Sequence, residues 1–241
     1  MRETVLLDLG NTLVRYYTRA EFPALLAEAV ASVGRYLAGR DLPTVREEEI
    51  RRRVAEENRE GRSHRVRPLA GRLTRIFGLD GGVATGEVQE GMCRDFLGPI
   101  FALGKVYEDA PPALERLREA GLRTAIVSNT PWGSPGGLWR EELERLGLDQ
   151  RVEAAFFCTD AGWRKPAPQL FEFVLDRLGT TPERCIFVGD DPRWDVVGPR
   201  AVGIDAVLLD RSGRSTQSDV QVIEGLLELG RVLGVQADGE E

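Results

Sequence analysis

Three apolar runs in this chain each stop on a cluster of polar side chains, and this arrangement narrows the possible folds sharply. Val5-Leu-Leu7 runs into Asp8-Leu-Gly-Asn-Thr12, Ala125-Ile-Val127 into Ser128-Asn-Thr130, and Cys185-Ile-Phe-Val188 into Gly189-Asp-Asp191 and then Asp195. A fourth patch, Arg164-Lys-Pro166, lies between the last two. In an open parallel sheet, chemistry collects beyond the carboxyl ends of the strands. Three polar clusters at three strand ends therefore predict one shared site. It would hold several carboxylates, a lysine and small hydroxyl or amide groups, a set that suits a divalent metal and a phosphate.

The rest of the chain supports an α/β fold. From residue 106 the pattern alternates between helical and strand periods. Helices are predicted over 111–120, 137–146 and 168–178, a short one over 196–202, and an amphipathic one over 220–233. Strands are predicted over 122–127, 154–158, 185–188 and 204–209. Such alternation implies a Rossmann-like parallel sheet with right-handed crossovers. The first strand, residues 3–8, stands apart from this run by about a hundred residues. That stretch contains no convincing strand, and helical spacing marks 20–40, 44–60, 69–78 and 86–102. Residues 15–104 are therefore expected to form an all-helical cap, with the catalytic core in 1–14 and 105–235. The tail, 236–241, is expected to be disordered.

Composition excludes several classes. A net charge of -7 argues against non-specific nucleic-acid binding, which needs a basic face. No apolar stretch approaches the roughly 18 residues that suggest a membrane span. The N-terminus lacks the layout of a signal peptide. Cys93, Cys158 and Cys185 are odd in number and show no CxxC spacing, against a disulfide framework or a zinc site. A cytoplasmic protein is expected. The basic residues are nearly all arginine, and the two lysines are Lys105 and Lys165. A lysine beside a turn-forming proline in such a chain suggests a use for its compact ammonium.

The four patches, in their order and spacing, resemble the haloacid dehalogenase-like hydrolase superfamily. More narrowly, they are similar to the branch whose helical cap follows the first motif. The resemblance covers the whole chain and implies Asp8 as a nucleophile that forms an aspartyl phosphate. It also implies Mg²⁺ held by Asp8, the backbone carbonyl of Gly10 and Asp190, with Thr12, Asp191 and Asp195 behind them. Asp195 alone reads equally well as the cap of the helix that follows. The phosphate would be bound by Ser128, the backbone N–H groups of Asn129 and Thr130, and Lys165, which would also steady Asp8. Trp132 and Ser134 could line the mouth of the site, whereas Trp139 reads as packing. Tyr16 and Tyr17 would form the linker into the cap or face the substrate.

One departure matters. Most phosphatases of this superfamily carry a second aspartate two residues after the nucleophile, as general acid and base, and this chain has Gly10 there. A positioned acid contributes roughly 10²–10⁴-fold. The expected function is Mg²⁺-dependent hydrolysis of a small phosphorylated metabolite. Two alternatives stay open: a 2-haloacid dehalogenase, and a weak or inactive phospho-ligand-binding protein, which Gly10 keeps in play. The dehalogenases usually carry an aromatic residue at that position and need no metal, so Gly10 and the Asp190/Asp191 pair both speak against the first alternative. His64 reads as a solvated loop residue. Arg51–Arg53, Arg59, Arg62, Arg65 and Arg67 interleave with glutamates as a salt-bridged helix face.

Overall fold

The computed structural model describes residues 2–59, 63–215 and 219–235. The expected disordered tail, and Arg62 of the charged face, lie outside the described residues. Strand β1 (Thr4–Leu7) is followed by the two-residue strand β2 (Val14–Arg15) and four helices: α1 (Phe22–Ala38), α2 (Glu47–Glu57), α3 (Leu69–Phe77) and α4 (Gly86–Phe101). The chain returns through β3 (Lys105–Val106), which pairs antiparallel with β2, Val14 opposite Val106 and Arg15 opposite Lys105. A two-residue ribbon is too short to show a period of two, so it carries no sequence signature.

The remainder alternates. Helix α5 (Ala110–Glu119) precedes β4 (Arg123–Ser128), α6 (Gly136–Arg145) precedes β5 (Ala154–Phe157), and the short α7 (Cys158–Ala161) and α8 (Pro168–Leu178) precede β6 (Cys185–Gly189). A π-helical turn over Pro192–Val197 runs into α9 (Gly198–Arg200), then β7 (Asp205–Leu209). The expected helix over 196–202 thus begins earlier and in a wider coil. The expected helix over 220–233 is a correction of another kind. The chain there forms β8 (Gln221–Ile223), parallel to β7, then a 3₁₀ turn and the short α10 (Leu229–Leu233). Val220 and Ile223 are buried while Gln221 is exposed, and β-branched residues favour a strand where an open sheet edge is available. Gly225 then separates strand from helix.

The main sheet has six strands in the order β5-β4-β1-β6-β7-β8, and every pairing in it is parallel. β1 sits between β4 and β6, so the chain winds one way from it and then the other. The crevice of such a sheet lies beyond the end of this strand, where Asp8 follows Leu7. Alternate side chains of β1 serve opposite faces: Val5 and Leu7 join the larger core, and Leu6 packs with Leu170, Phe171 and Val174 of α8. Helix α8 shows why the local sequence suffices. Pro168 opens it, Leu170, Phe171, Val174, Leu175 and Leu178 are buried, and Gly179 ends it at φ 62°. The larger core continues without a break into Leu25, Val33, Leu73, Met92 and Phe96 of the helical segment. No described helix is long and apolar enough to cross a membrane.

Candidate active site

Asp8 continues the β1 ladder, its N–H donating to the Val188 carbonyl at 2.9 Å. Its side chain is buried, and one oxygen, Oδ1, accepts from Ser128 Oγ at 2.9 Å and from Lys165 Nζ at 2.6 Å. Oδ2 has no hydrogen-bond partner among the described residues. Lys165 is 1% exposed and donates a second bond to Asp195 Oδ1 at 2.7 Å. The side chain of Asn129 imitates a strand: its amide oxygen accepts from the Lys165 N–H at 2.9 Å and its amide nitrogen donates to the Lys165 carbonyl at 3.3 Å. Three of the four sequence patches are thereby joined by hydrogen bonds, with Asp195 of the fourth bonded to Lys165.

Asp195 is more central than its sequence position suggested. Its carboxylate is 1% exposed, held by Lys165 on one oxygen and by the N–H of Asp191 on the other, at 3.0 Å. It does not cap the following turn. Asp191 does, accepting from the N–H groups of Arg193 and Trp194. Gly189 makes the arrangement possible, since a Cβ there would lie 2.4 Å from the Asp195 carboxyl carbon. A buried ammonium needs close counter-charges, which is the signal that a second carboxylate should be sought for Lys165.

Asp8, Asp190 and Asp195 each offer an oxygen within 4.8 Å of the others, so the three could hold a metal ion. Three carboxylates face one ammonium, leaving two uncompensated negative charges if all ionise. Burial first, then repulsion from Asp8 and Asp195, raises Asp190 to about 8. Burial likewise raises Asp195 to about 6, against the pull of Lys165. Burial works against the charged form of Lys165, but Asp195 and Asp8 outweigh it and hold its pKa above the usual value. A hard cation is what such a donor set lacks, so the residues fit one.

Folding raises the two aspartate pKa values, so the folded chain binds more protons than the unfolded one between about pH 4 and pH 8. Stability in chelator should therefore fall as pH rises through that window. A bound divalent cation should remove the penalty. Calorimetry should show a larger Tm gain from the cation at about pH 8 than at about pH 5, and equal gains would contradict it.

The other expected residues fall as follows. Gly10 lies beside the cluster in a bridge to Val14, and a Cβ there would meet nothing within 4 Å. Thr12 is fully buried, its carbonyl accepting from Arg211 at 2.8 Å. Arg211 also grips Asp109 through two bonds, a tie between distant loops without a local sequence signature. Thr130 binds the Ser134 carbonyl, and Ser134 is fully buried with its hydroxyl accepting from Trp139 Nε1, so it does not line the mouth. Trp139 packs on Tyr16, Phe101 and Phe157 as expected, and the Tyr16 hydroxyl donates to Glu142. Tyr17 stacks on Phe22. Trp132 is nearly buried, stacked on Phe96 with its N–H on Asn58. His64 is half-buried with its carbonyl bonded to the Arg164 N–H, a correction to the solvated loop expected of it.

The model of the haloacid dehalogenase-like hydrolase family matches residues 3–203. The chain belongs to the haloacid dehalogenase-like hydrolases. Among curated relatives of this family it is 33% identical over 133 residues to a ribulose-1,5-bisphosphate 5-phosphatase of Halopiger xanaduensis, covering 51% of this chain and 54% of that one. It is 37% identical over 109 residues to a phosphoserine phosphatase of Thermus thermophilus, covering 45% and 42%. The chain thus matches about half the length of these relatives. A haloacid dehalogenase-like phosphatase structure from Thermococcus onnurineus shares the fold at TM-score 0.67 and 24% identity, over 97% of this chain and 99% of that one.

Proposed function

We propose that this chain is a cytoplasmic, Mg²⁺-dependent phosphomonoesterase that acts on a small phosphorylated metabolite through an aspartyl phosphate on Asp8. The observation that carries the reading is the state of the Asp8 carboxylate. Lys165 and Ser128 hold Oδ1 and orient the group, which leaves Oδ2 without a partner among the described residues. Oδ2 would attack phosphorus as the ester P–O bond breaks. The departing alkoxide would take its proton from solvent, because Gly10 supplies no acid. Water would then attack phosphorus, releasing phosphate and the Asp8 carboxylate. Lys165 holds Asp8 in place, and Asp195 holds Lys165. Mg²⁺ held by Asp8, the Gly10 carbonyl and Asp190 would offset the charge of the phosphoryl group.

Residues 15–104 would act as a cap that opens for substrate and excludes water when closed. The ribbon of β2 and β3, which joins both ends of this segment to the core, supports that division. The phosphatase names of the relatives support the reaction class.

Release of product from p-nitrophenyl phosphate and acetyl phosphate, with Mg²⁺ and with EDTA, tests the reading. Both have good leaving groups, so the missing acid should matter little. Turnover with Mg²⁺ and its loss in EDTA are expected. Inactivity on both substrates, or chelator-insensitive turnover of a 2-haloacid, would sink the proposal.

A further inference from the structure

The two loops that carry Asn129 and Lys165 are held from outside as well as by each other. Residues 64–67, ahead of α3, lie across both. His64 to Val66 runs antiparallel to Gly162 to Arg164, with Arg65 opposite Trp163. The Val66 N–H donates to the Gly162 carbonyl and the Arg164 N–H to the His64 carbonyl, both at 3.0 Å. The Arg65 guanidinium lies 4.1 Å from the centre of the Trp163 ring. On the other loop, Gly133 approaches the same stretch so closely that a Cβ would come within 2.4 Å of the Arg67 carbonyl oxygen.

Trp132 reaches in the opposite sense, from the core loop into the helical layer. Its ring stacks on Phe96 of α4 at 5.6 Å, lies 4.1 Å from the Arg72 guanidinium of α3, and donates from Nε1 to Asn58 at 3.2 Å. Its backbone is left-handed, at φ 55°. A bulky residue keeps such a conformation only when its surroundings over-determine it. Here those surroundings belong to the helical layer. The course of the chain just after Ser128 and Asn129 therefore depends on that layer being seated.

We propose that Trp132, Arg65 and Trp163 are positioning residues: by docking the helical layer on both loops, they set Ser128, Asn129 and Lys165 in register with Asp8. The inference rests on the phosphatase reading and goes beyond it, since it makes reactive geometry conditional on the helical layer. Small displacements of such groups cost a great deal, with about 1 Å costing up to about 10²-fold in rate. The bridge is also the reversible part of the contact, because Arg65 is exposed and its cation–π contact is modest.

The test uses the full chain with acetyl phosphate, alongside hydrogen exchange of the amides over 162–166. Arg65→Ala is expected to lower kcat about ten-fold with KM changed less than about two-fold. Exchange over 162–166 should quicken while the rest of the core and the Tm stay as in the wild type. Arg65→Lys keeps a cation over Trp163 and should recover most of kcat. Trp132→Phe keeps the stacking, loses the bond to Asn58, and should cost only a few-fold. Unchanged kcat and exchange in Arg65→Ala would overturn the proposal. So would a rise in KM alone, which would mean that Arg65 touches substrate, or a kcat loss tracked by uniformly faster exchange. If the wild type itself shows no Mg²⁺-dependent turnover, the phosphatase reading fails. The exchange measurement then decides alone: protection over 162–166 lost in Arg65→Ala supports the docking role, and protection kept overturns it.

Discussion

Asp8→Asn is expected to lower turnover of acetyl phosphate by roughly 10⁴-fold or more, which is about 5 kcal/mol of transition-state stabilisation. The amide matches the carboxylate in shape, and Ser128 Oγ can still donate to its oxygen. The nucleophile is lost, together with the charge that Asp8 offers the metal and Lys165. The folded state should not suffer, because the variant replaces one of the three carboxyl groups that crowd the cluster and Lys165 keeps its bond to Asp195. Tm in chelator should therefore equal or exceed that of the wild type. Calorimetry beside steady-state kinetics checks both halves. Residual turnover above one-tenth of wild type would remove Asp8 from the reaction, and a collapse of Tm would make the lost activity uninformative.

Gly10→Asp should act in the other direction. The site has room, since a Cβ at Gly10 meets nothing within 4 Å, and the backbone there is not left-handed. A carboxyl at this position would enter a cluster already rich in negative charge, which would raise its pKa as a general acid requires. The gain should depend on the leaving group. An alkyl phosphate, whose alkoxide leaves poorly, should be hydrolysed roughly 10²–10³-fold faster, while p-nitrophenyl phosphate should change only a few-fold. Rates across phosphate esters of graded leaving-group pKa would show this as a shallower slope in the variant. An equal effect on all esters would mean that the new group binds rather than donates a proton.

Much of this was legible from the residues. Val5-Leu-Leu7, Ala125-Ile-Val127 and Cys185-Ile-Phe-Val188 form adjacent central strands, and the polar groups that follow them converge. The helical segments between residues 20 and 102 were also legible, because buried positions such as Leu26, Ala29, Val30 and Val33 recur at helical spacing. The strand β8 was missed because its short apolar run admits helix or strand equally until a neighbouring edge selects one. The π-helical turn at Pro192–Val197 was missed for a related reason: it follows from Asp191 capping one end while Asp195 turns inward to Lys165.

What the sequence determined on its own was therefore the kind of chemistry and the strands that carry it, because apolar period and the residue at a strand end are local properties. What only the tertiary structure decided was the pairing of groups far apart in the chain. Asp195 became the second partner of Lys165, Arg211 the clasp on Asp109, and Trp132 a plug in the helical layer. Each of these side chains is polar or aromatic and could have served several neighbours. Which one it met was settled by burial, since a charge or ring removed from water takes whichever partner the packed strands and helices bring within reach.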